Sequence, residues 1–366
     1  MGALSVPIPS RRLGCFYRPL IMAGWAAVLL SVFWFASRYP QLMSKSHQLG
    51  QTMPSMTYSH ELVHAAANAP LLEKTLFAAI NWLDAMKIGM AFGILLGALL
   101  HTMLKYYPLK IGKNLYLNSV KGALVGAPMG VCANCAVPAA CGVTRGHGRV
   151  EVALGFLFSS PNFNPVVVMM TFTAFPLVMS VTKYAVMLLV IVLLVPSLIA
   201  WLERREPIKP FASRDDTASC DLTLPAEDCT ENFWSVLKGL SADYGKHVWM
   251  LVKPTITLMV VASVLSAAIL TLLPWPTLLA QVTPARAALV SLVSVFMPVP
   301  IALDVMFAAQ LQAQGVASGY VMLFAMTLGT YSIIPTIYLW REVSKKLAVI
   351  LFVFFFAVGW ISALLF

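Results

Sequence analysis

The sequence predicts an all-α polytopic membrane protein, with about seven full spans and two re-entrant or broken helix hairpins in an inverted-repeat transporter architecture. Two observations of composition carry this. Of 366 residues, 59% are hydrophobic and 11% are charged, whereas soluble globular chains carry about 25% charged residues. Mean hydropathy is +0.80. The third observation is arrangement: the apolar residues fall in runs of about 20, long enough to cross roughly 30 Å of hydrocarbon. A soluble one-core enzyme, a disordered chain and a disulfide-rich secreted module are excluded. So is a β-barrel, whose alternating lipid and lumen faces would dilute such runs. The net charge of +10 does not imply a nucleic-acid partner. The Lys and Arg residues cluster in loops between spans, where cytoplasmic loops are basic for reasons of insertion. The partner that composition implies is a lipid bilayer.

The first span is expected near 19–37, behind Arg11, Arg12 and Arg18. No small-residue cleavage site stands out near 36, so it reads as an uncleaved span rather than a signal peptide. A polar outside loop over 38–75 completes an N-terminal segment, 1–75. A span over 76–101 opens the first permease repeat, 76–202. Next comes an interrupted stretch, 118–143, with G-A-L-V-G-A-P-M-G-V-C-A-N-C-A-V-P. Proline removes a backbone donor and breaks helices. The stretch is too short for two crossings and too broken for one, which fits a hairpin of two half-helices. Spans near 151–175 and 178–202 complete the repeat.

Residues 203–253 form a charged cytoplasmic linker containing E-R-R-E-P-I-K-P and S-R-D-D-T. The second repeat, 254–366, has spans near 254–274, 316–340 and 346–366. Its own interrupted stretch, 285–311, contains F-M-P-V-P-I-A-L-D. With the N-terminus inside and both stretches re-entrant, most of the 25 basic residues become cytoplasmic, as the positive-inside rule asks. The two repeats then share the order span, hairpin, broken span, span, and start from opposite faces. Secondary transporters of this build hold substrate where discontinuous helices meet near the midplane.

The six cysteines are Cys15, Cys132, Cys135, Cys141, Cys220 and Cys229. Three lie in C-A-N-C-A-V-P-A-A-C on the first hairpin. Thiolates are soft ligands that select soft metals and metalloids. Cys132 and Cys135, three apart, share a face of a helical turn. Cys141, beyond Pro138, is expected to fold back from the second half-helix. The competing reading is that cysteine packs as a small hydrophobe; three at a proline-broken turn favour the ligand role. A structural zinc site would need a fourth ligand, and none is near. Cys220 and Cys229 read as exposed, reduced linker thiols.

Glycines recur at spacing four, as Gly89, Gly93 and Gly97, then Gly122, Gly126 and Gly130. Such stripes let membrane helices approach closely. The segment F-L-F-S-S-P-N-F-N-P places Ser159, Ser160, Asn162 and Asn164 at mid-depth. Irregular backbone there must line a cavity or be buried in protein. T-L-G-T-Y-S-I-I-P, from Thr327 to Pro335, answers it in the second half. The candidate substrate contacts are therefore Cys132, Cys135, Cys141, Asn134, Ser160, Asn162 and Asn164. Intramembrane charges are rare and usually functional. Asp304, in the second hairpin, is the sharpest candidate for proton coupling. Asp84 is a second, although it stands three residues from Lys87 and can pair with it. Lys183 sits near a span end and is expected to snorkel. H-E-L-V-H, with His60, Glu61 and His64, matches a zinc-protease motif, but a polar face on a loop helix is the plainer reading.

Residues from about 88 to 175 resemble the predicted-permease family typified by the ArsP organoarsenical efflux proteins. The resemblance rests on L-L-G-A-L-L, G-A-P-M-G-V-C-A-N-C-A-V-P, G-V-T-R-G and G-F-L-F-S-S-P-N-F-N-P. It implies efflux of trivalent organoarsenicals, such as methylarsenite, or related thiophilic species across a bacterial inner membrane. A trivalent arsenical has exchangeable ligands that Cys132 and Cys135 can replace, and an incomplete thiol set suits a carrier. No Walker A motif occurs, so a proton gradient rather than ATP is the expected energy source. No cofactor and no enzymatic activity are expected. Two other readings stand beside this one: a membrane zinc metalloprotease using His60, Glu61 and His64, and a membrane scaffold without transport.

Overall fold

The structure is a computed structural model, and it describes residues 14–47, 62–66, 68–107, 112–145, 149–205 and 233–366. No strand occurs among the described residues. Five helical rods are long and apolar enough to cross a membrane, which makes this a multi-pass membrane protein. The first rod joins α1 (Gly14–Phe33) through a π turn at Trp34–Arg38 to α2 (Tyr39–His47). The second is α3 (Leu71–Tyr106). Thus the first span is longer than the 19–37 read from hydropathy. The apolar packing continues past the charged Arg38, because Phe33 and Leu42 are both buried in the main core.

The stretch at 118–143 folds as two half-helices, α4 (Leu115–Gly126) and α5 (Ala133–Arg145), joined by a 3-10 turn at Ala127–Met129. Gly130 closes that turn in the left-handed region, φ 60°, where only glycine is free of steric cost. The next span is bent by 47° between α6 (Val150–Asn162) and α7 (Pro165–Ala174). Asn164 caps α7 by accepting from the Val166 amide. The fold continues through α8 (Leu177–Leu189), a π turn at Val190–Leu194 and α9 (Val195–Arg205).

The second half runs in the same order. α10 (Phe233–Leu272) is followed by the short α11 (Trp275–Leu279). A second interrupted pair, α12 (Pro284–Phe296) and α13 (Leu303–Ala313), is joined by the extended Met297–Pro300. Ala302 starts α13 at φ 62°, a left-handed position that costs a residue with a Cβ about 1 kcal/mol. The span expected at 316–340 is divided. α14 (Ser318–Thr327) and α15 (Ile333–Tyr338) flank a turn, and a π turn at Leu339–Val343 leads to α16 (Lys345–Leu365). Ser332 caps α15 through the Ile334 amide. Five continuous spans, or six with the bent pair, therefore stand where the hydropathy reading expected about seven.

α10 begins 21 residues before the expected span start at 254. Its first half is amphipathic rather than apolar. Val236 and Leu240 pack on Ile21 and Met22 of α1, while Asp243 accepts from Lys105 and Tyr106 at the end of α3.

The glycine stripes act at the helix contacts. A Cβ on Gly93 would strike the Cys135 carbonyl, and one on Gly122 the Val152 carbonyl. The stripes therefore hold α5 on α3, and α4 on α6. Overpacking at such a contact costs about 1–3 kcal/mol. Gly93→Leu is expected to destabilise the protein by about 2–3 kcal/mol in an SDS-unfolding titration. Gly24→Leu, with nothing within 4 Å of an added Cβ, should change it by less than about 0.5 kcal/mol.

Candidate functional site

The two interrupted turns meet inside the protein. Extended backbone at Met297–Ile301 exposes carbonyls that no helix satisfies, and within a membrane each must find a partner in the protein. Pro298 O accepts from Trp82 Nε1 at 2.9 Å and from Ser266 Oγ at 3.1 Å. Val299 O accepts from Asn134 Nδ2 at 3.1 Å. Ile301 O accepts from Lys45 Nζ at 2.7 Å. Helices α3, α10, α5 and α2 thus each reach the same turn.

The broken spans lock to one another in the same region. Ser332 Oγ donates to Asn134 Oδ1 at 2.6 Å, and Thr330 Oγ1 donates to Asn162 Oδ1 at 3.0 Å. Ser160 Oγ accepts from the Val131 amide at 3.2 Å. Gly329 lies against Asp304, whose carboxyl carbon is 2.6 Å from where a Cβ would stand. Asn134, Ser160, Asn162, Asn164 and Asp304, singled out in the sequence, are all buried. Asn134 and Asn162 carry direct bonds between the halves.

The cysteines occupy the start of α5. The Sγ atoms of Cys132 and Cys135 are joined sulfur to sulfur, with their Cα atoms 5.2 Å apart. The Cys135 amide also donates to Cys132 Sγ at 3.2 Å. Met86 Sδ of α3 stands 3.8 Å from one sulfur and 3.9 Å from the other. Three soft atoms therefore cluster where three were expected, but the third is Met86 and not Cys141. α5 runs unbroken through Pro138, so Cys141 lies about 9 Å further along the helix axis than Cys135. Proline within the first two turns of a helix frees a single carbonyl and need not end it.

Two charge expectations resolve differently. Lys183 does not snorkel: it is buried, and its Nζ lies 2.9 Å from Asp304 Oδ2. Asp304 is accordingly an ion-paired carboxylate, linking α13 to α8. Asp84 pairs with Lys87 at 2.5 Å on an exposed part of α3. A bidentate pair, Arg145 with Glu342, joins the end of α5 to the π turn after α15. His60 and Glu61 lie outside the described residues, as do Cys220 and Cys229. His64 is exposed in non-helical backbone. Among the described residues no three His, Cys, Asp or Glu side chains gather as a metal site.

Two contributors were missed at the level of sequence. Met86 is one of 19 methionines; its signal was its position three residues before Gly89, on the stripe that α5 covers. Arg38 was assigned to a loop. It is buried, its side chain 4.8 Å from the Phe33 ring centroid. A point one Cβ out from Gly89 is 3.0 Å from Arg38 Nη2 and 2.9 Å from Cys135 Sγ.

Small clefts open along α10 on two sides of this crossing. One is lined by Thr255 and Met259 with Asn134 and Pro138 of the first hairpin. The other is lined by Ser266 and Leu270 with Pro298 and Val299 of the second. Their α10 residues are separated by about 16 Å of helix rise.

The comparisons agree with a transport protein. A family model described as ArsP_1, predicted permease, matches residues 73–366. No curated protein and no solved structure matches the chain.

Removing one member of a buried ion pair costs about 3–5 kcal/mol, while replacing both can be close to neutral. Lys183→Met is expected to destabilise the protein by about 3 kcal/mol in SDS unfolding. Lys183→Met combined with Asp304→Asn should recover most of that loss.

Proposed function

The chain belongs to the ArsP_1 family of predicted permeases, and from that premise we propose that it is a secondary efflux carrier for trivalent organoarsenicals or related thiophilic species. The observation that carries this is the Cys132–Cys135 pair with Met86, seated on a hairpin tip that both halves of the protein grip. Thiolates and thioethers select soft centres. In the dithiol form, which a reducing cytosol maintains, each thiol displaces one hydroxyl from arsenic. An As–S bond forms, an As–O bond breaks, and the thiol proton leaves with the hydroxyl as water. Two such exchanges hold a monosubstituted arsenical, and reversal by water releases it. Only two exchangeable bonds are made, so capture stays weak enough for export.

The two clefts beside α10 support an alternating route. In this reading the repeats 76–202 and 254–366 are inverted copies, and the first hairpin enters from the cytoplasm while the second enters from outside. The cleft at Thr255 and Asn134 then opens inward and the cleft at Ser266 and Pro298 outward, with the cysteines between them. Arg145 and Glu342 close the inner side. The protein sits in a bacterial inner membrane with its N-terminus inside. Asp304 couples transport to protons: a proton on its carboxylate cancels the attraction to Lys183 and frees α13 from α8.

Three outcomes test this. Cys132→Ser and Cys135→Ser should each lower resistance to methylarsenite to that of cells without the protein, while Cys141→Ser should keep it; unchanged resistance in the double Cys132/Cys135 variant would refute the soft-ligand site. The Lys183→Met, Asp304→Asn double variant should bind arsenical in detergent yet fail to accumulate it in everted vesicles against a gradient. Impermeant labels at residues 112–114 and 149 should react only from the cytoplasmic side; labelling of 149 from outside removes the re-entrant hairpin.

A further inference from the structure

Arg38 comes from the first rod, which lies outside the residues that the family model matches, yet its guanidinium shares with Cys135 the space beside Gly89. It is 5% exposed. Its Nη1 donates one long hydrogen bond, to Gln41 Oε1 at 3.4 Å. Its Nε has no hydrogen-bond partner, and none of the salt bridges among the described residues involves it. A buried charge without a counter-charge is costly, and the buried carboxylate Asp304 is already held by Lys183. Lys45, about two turns further along, adds a second positive charge to the same side while donating to Ile301 O.

A second buried donor converges on the same place. Asn164 is buried, and its Oδ1 caps α7, but its Nδ2 has no partner. That Nδ2 and Arg38 Cγ flank Gly130, at 2.7 Å and 3.3 Å from the point a Cβ would occupy. Gly130 has no side chain to fill this space, and its left-handed φ keeps one away. At the far end of the side chain, Nη2 and Cys135 Sγ lie 3.0 Å and 2.9 Å from the point a Cβ on Gly89 would occupy. A guanidinium without a counter-charge, an unpartnered amide and the Cys135 sulfur thus come close to the Cβ positions of two glycines that the Arg38 side chain spans, Gly130 at its Cγ and Gly89 at its Nη2.

We propose that Arg38 and Asn164 form an oxyanion subsite beside the Cys132–Cys135 pair, so that the favoured cargo is a soft centre carrying an acidic group such as a carboxylate. This rests on the transport reading above for the soft centre, and on Arg38 and Asn164 alone for the acid. Guanidinium binds carboxylate through paired, charge-assisted hydrogen bonds, and both side chains are buried, where such bonds discriminate strongly.

The test uses the full-length protein in detergent and two probes that differ by the acid alone, phenylarsine oxide and its para-carboxylate. Wild type should bind the carboxylate about tenfold more tightly, as one charge-assisted contact implies. Arg38→Gln should bring that ratio to about one, and Arg38→Lys, which keeps the charge but not the fork, to about threefold. A parallel arm measures thermal stabilisation by benzoate, which has the acid and no arsenic. Stabilisation of wild type that is lost in Arg38→Gln supports the subsite even when neither arsenical binds, an outcome that would sink the organoarsenical reading instead. Equal binding of the two arsenicals by wild type, with no stabilisation by benzoate, overturns the subsite.

Discussion

A peptide group inside a bilayer has no water to bond to, so every interruption of helix must be answered by the rest of the protein. Among the described residues, buried interruptions of helix fall at 127–132, 163–164, 297–302 and 328–332. The answering groups explain much of the remaining architecture. Asn164 and Ser332 cap the helices that resume. Trp82, Ser266, Asn134 and Lys45 cover the carbonyls of the second hairpin. Because the donors come from helices far apart in sequence, satisfying one turn ties together five elements. The place where backbone is least regular is consequently the place where the protein is most cross-linked.

Tight grip and small residues go together. Gly89, Gly93 and Gly97 remove the side chains that would otherwise separate α3 from α5, and that closeness puts Met86 against the cysteine sulfurs. The same absence of a side chain at Gly89 leaves room for both Arg38 Nη2 and Cys135 Sγ. Packing and chemistry are therefore not separate properties of this region. A stripe that looks like ordinary helix packing also sets how near a soft ligand set and a cation can stand.

Much of this was legible in the sequence. Hydropathy located the rods, and proline with glycine located the breaks at 127–132 and 297–302, because both effects are local. Ser160, Asn162, Asn134 and Asp304 stood out since polar groups are expensive in hydrocarbon. The errors share a physical origin. Lys183 was read by its nearness to a span end, but its partner is 121 residues away. Cys141 was read from a proline rule that weakens near a helix start. Arg38 was placed in a loop because a charge interrupts a hydropathy window, although Phe33 and Leu42 continue the buried packing on both sides of it. The early half of α10 was hidden for a related reason: its apolar residues lie on one face and dilute in the average.

The bond from Lys45 to Ile301 spans 256 residues, and that separation bears on biogenesis. The first rod leaves the ribosome long before its acceptor exists. At about 5–20 residues per second, roughly ten to fifty seconds pass before residue 301 is made. During that interval Arg38 and Lys45 would face lipid, at several kcal/mol each near the centre. Their long side chains can reach the headgroups only if the rod sits shallow or tilted. The first rod can therefore complete its buried contacts only once the turn at 297–302 has been made to receive it.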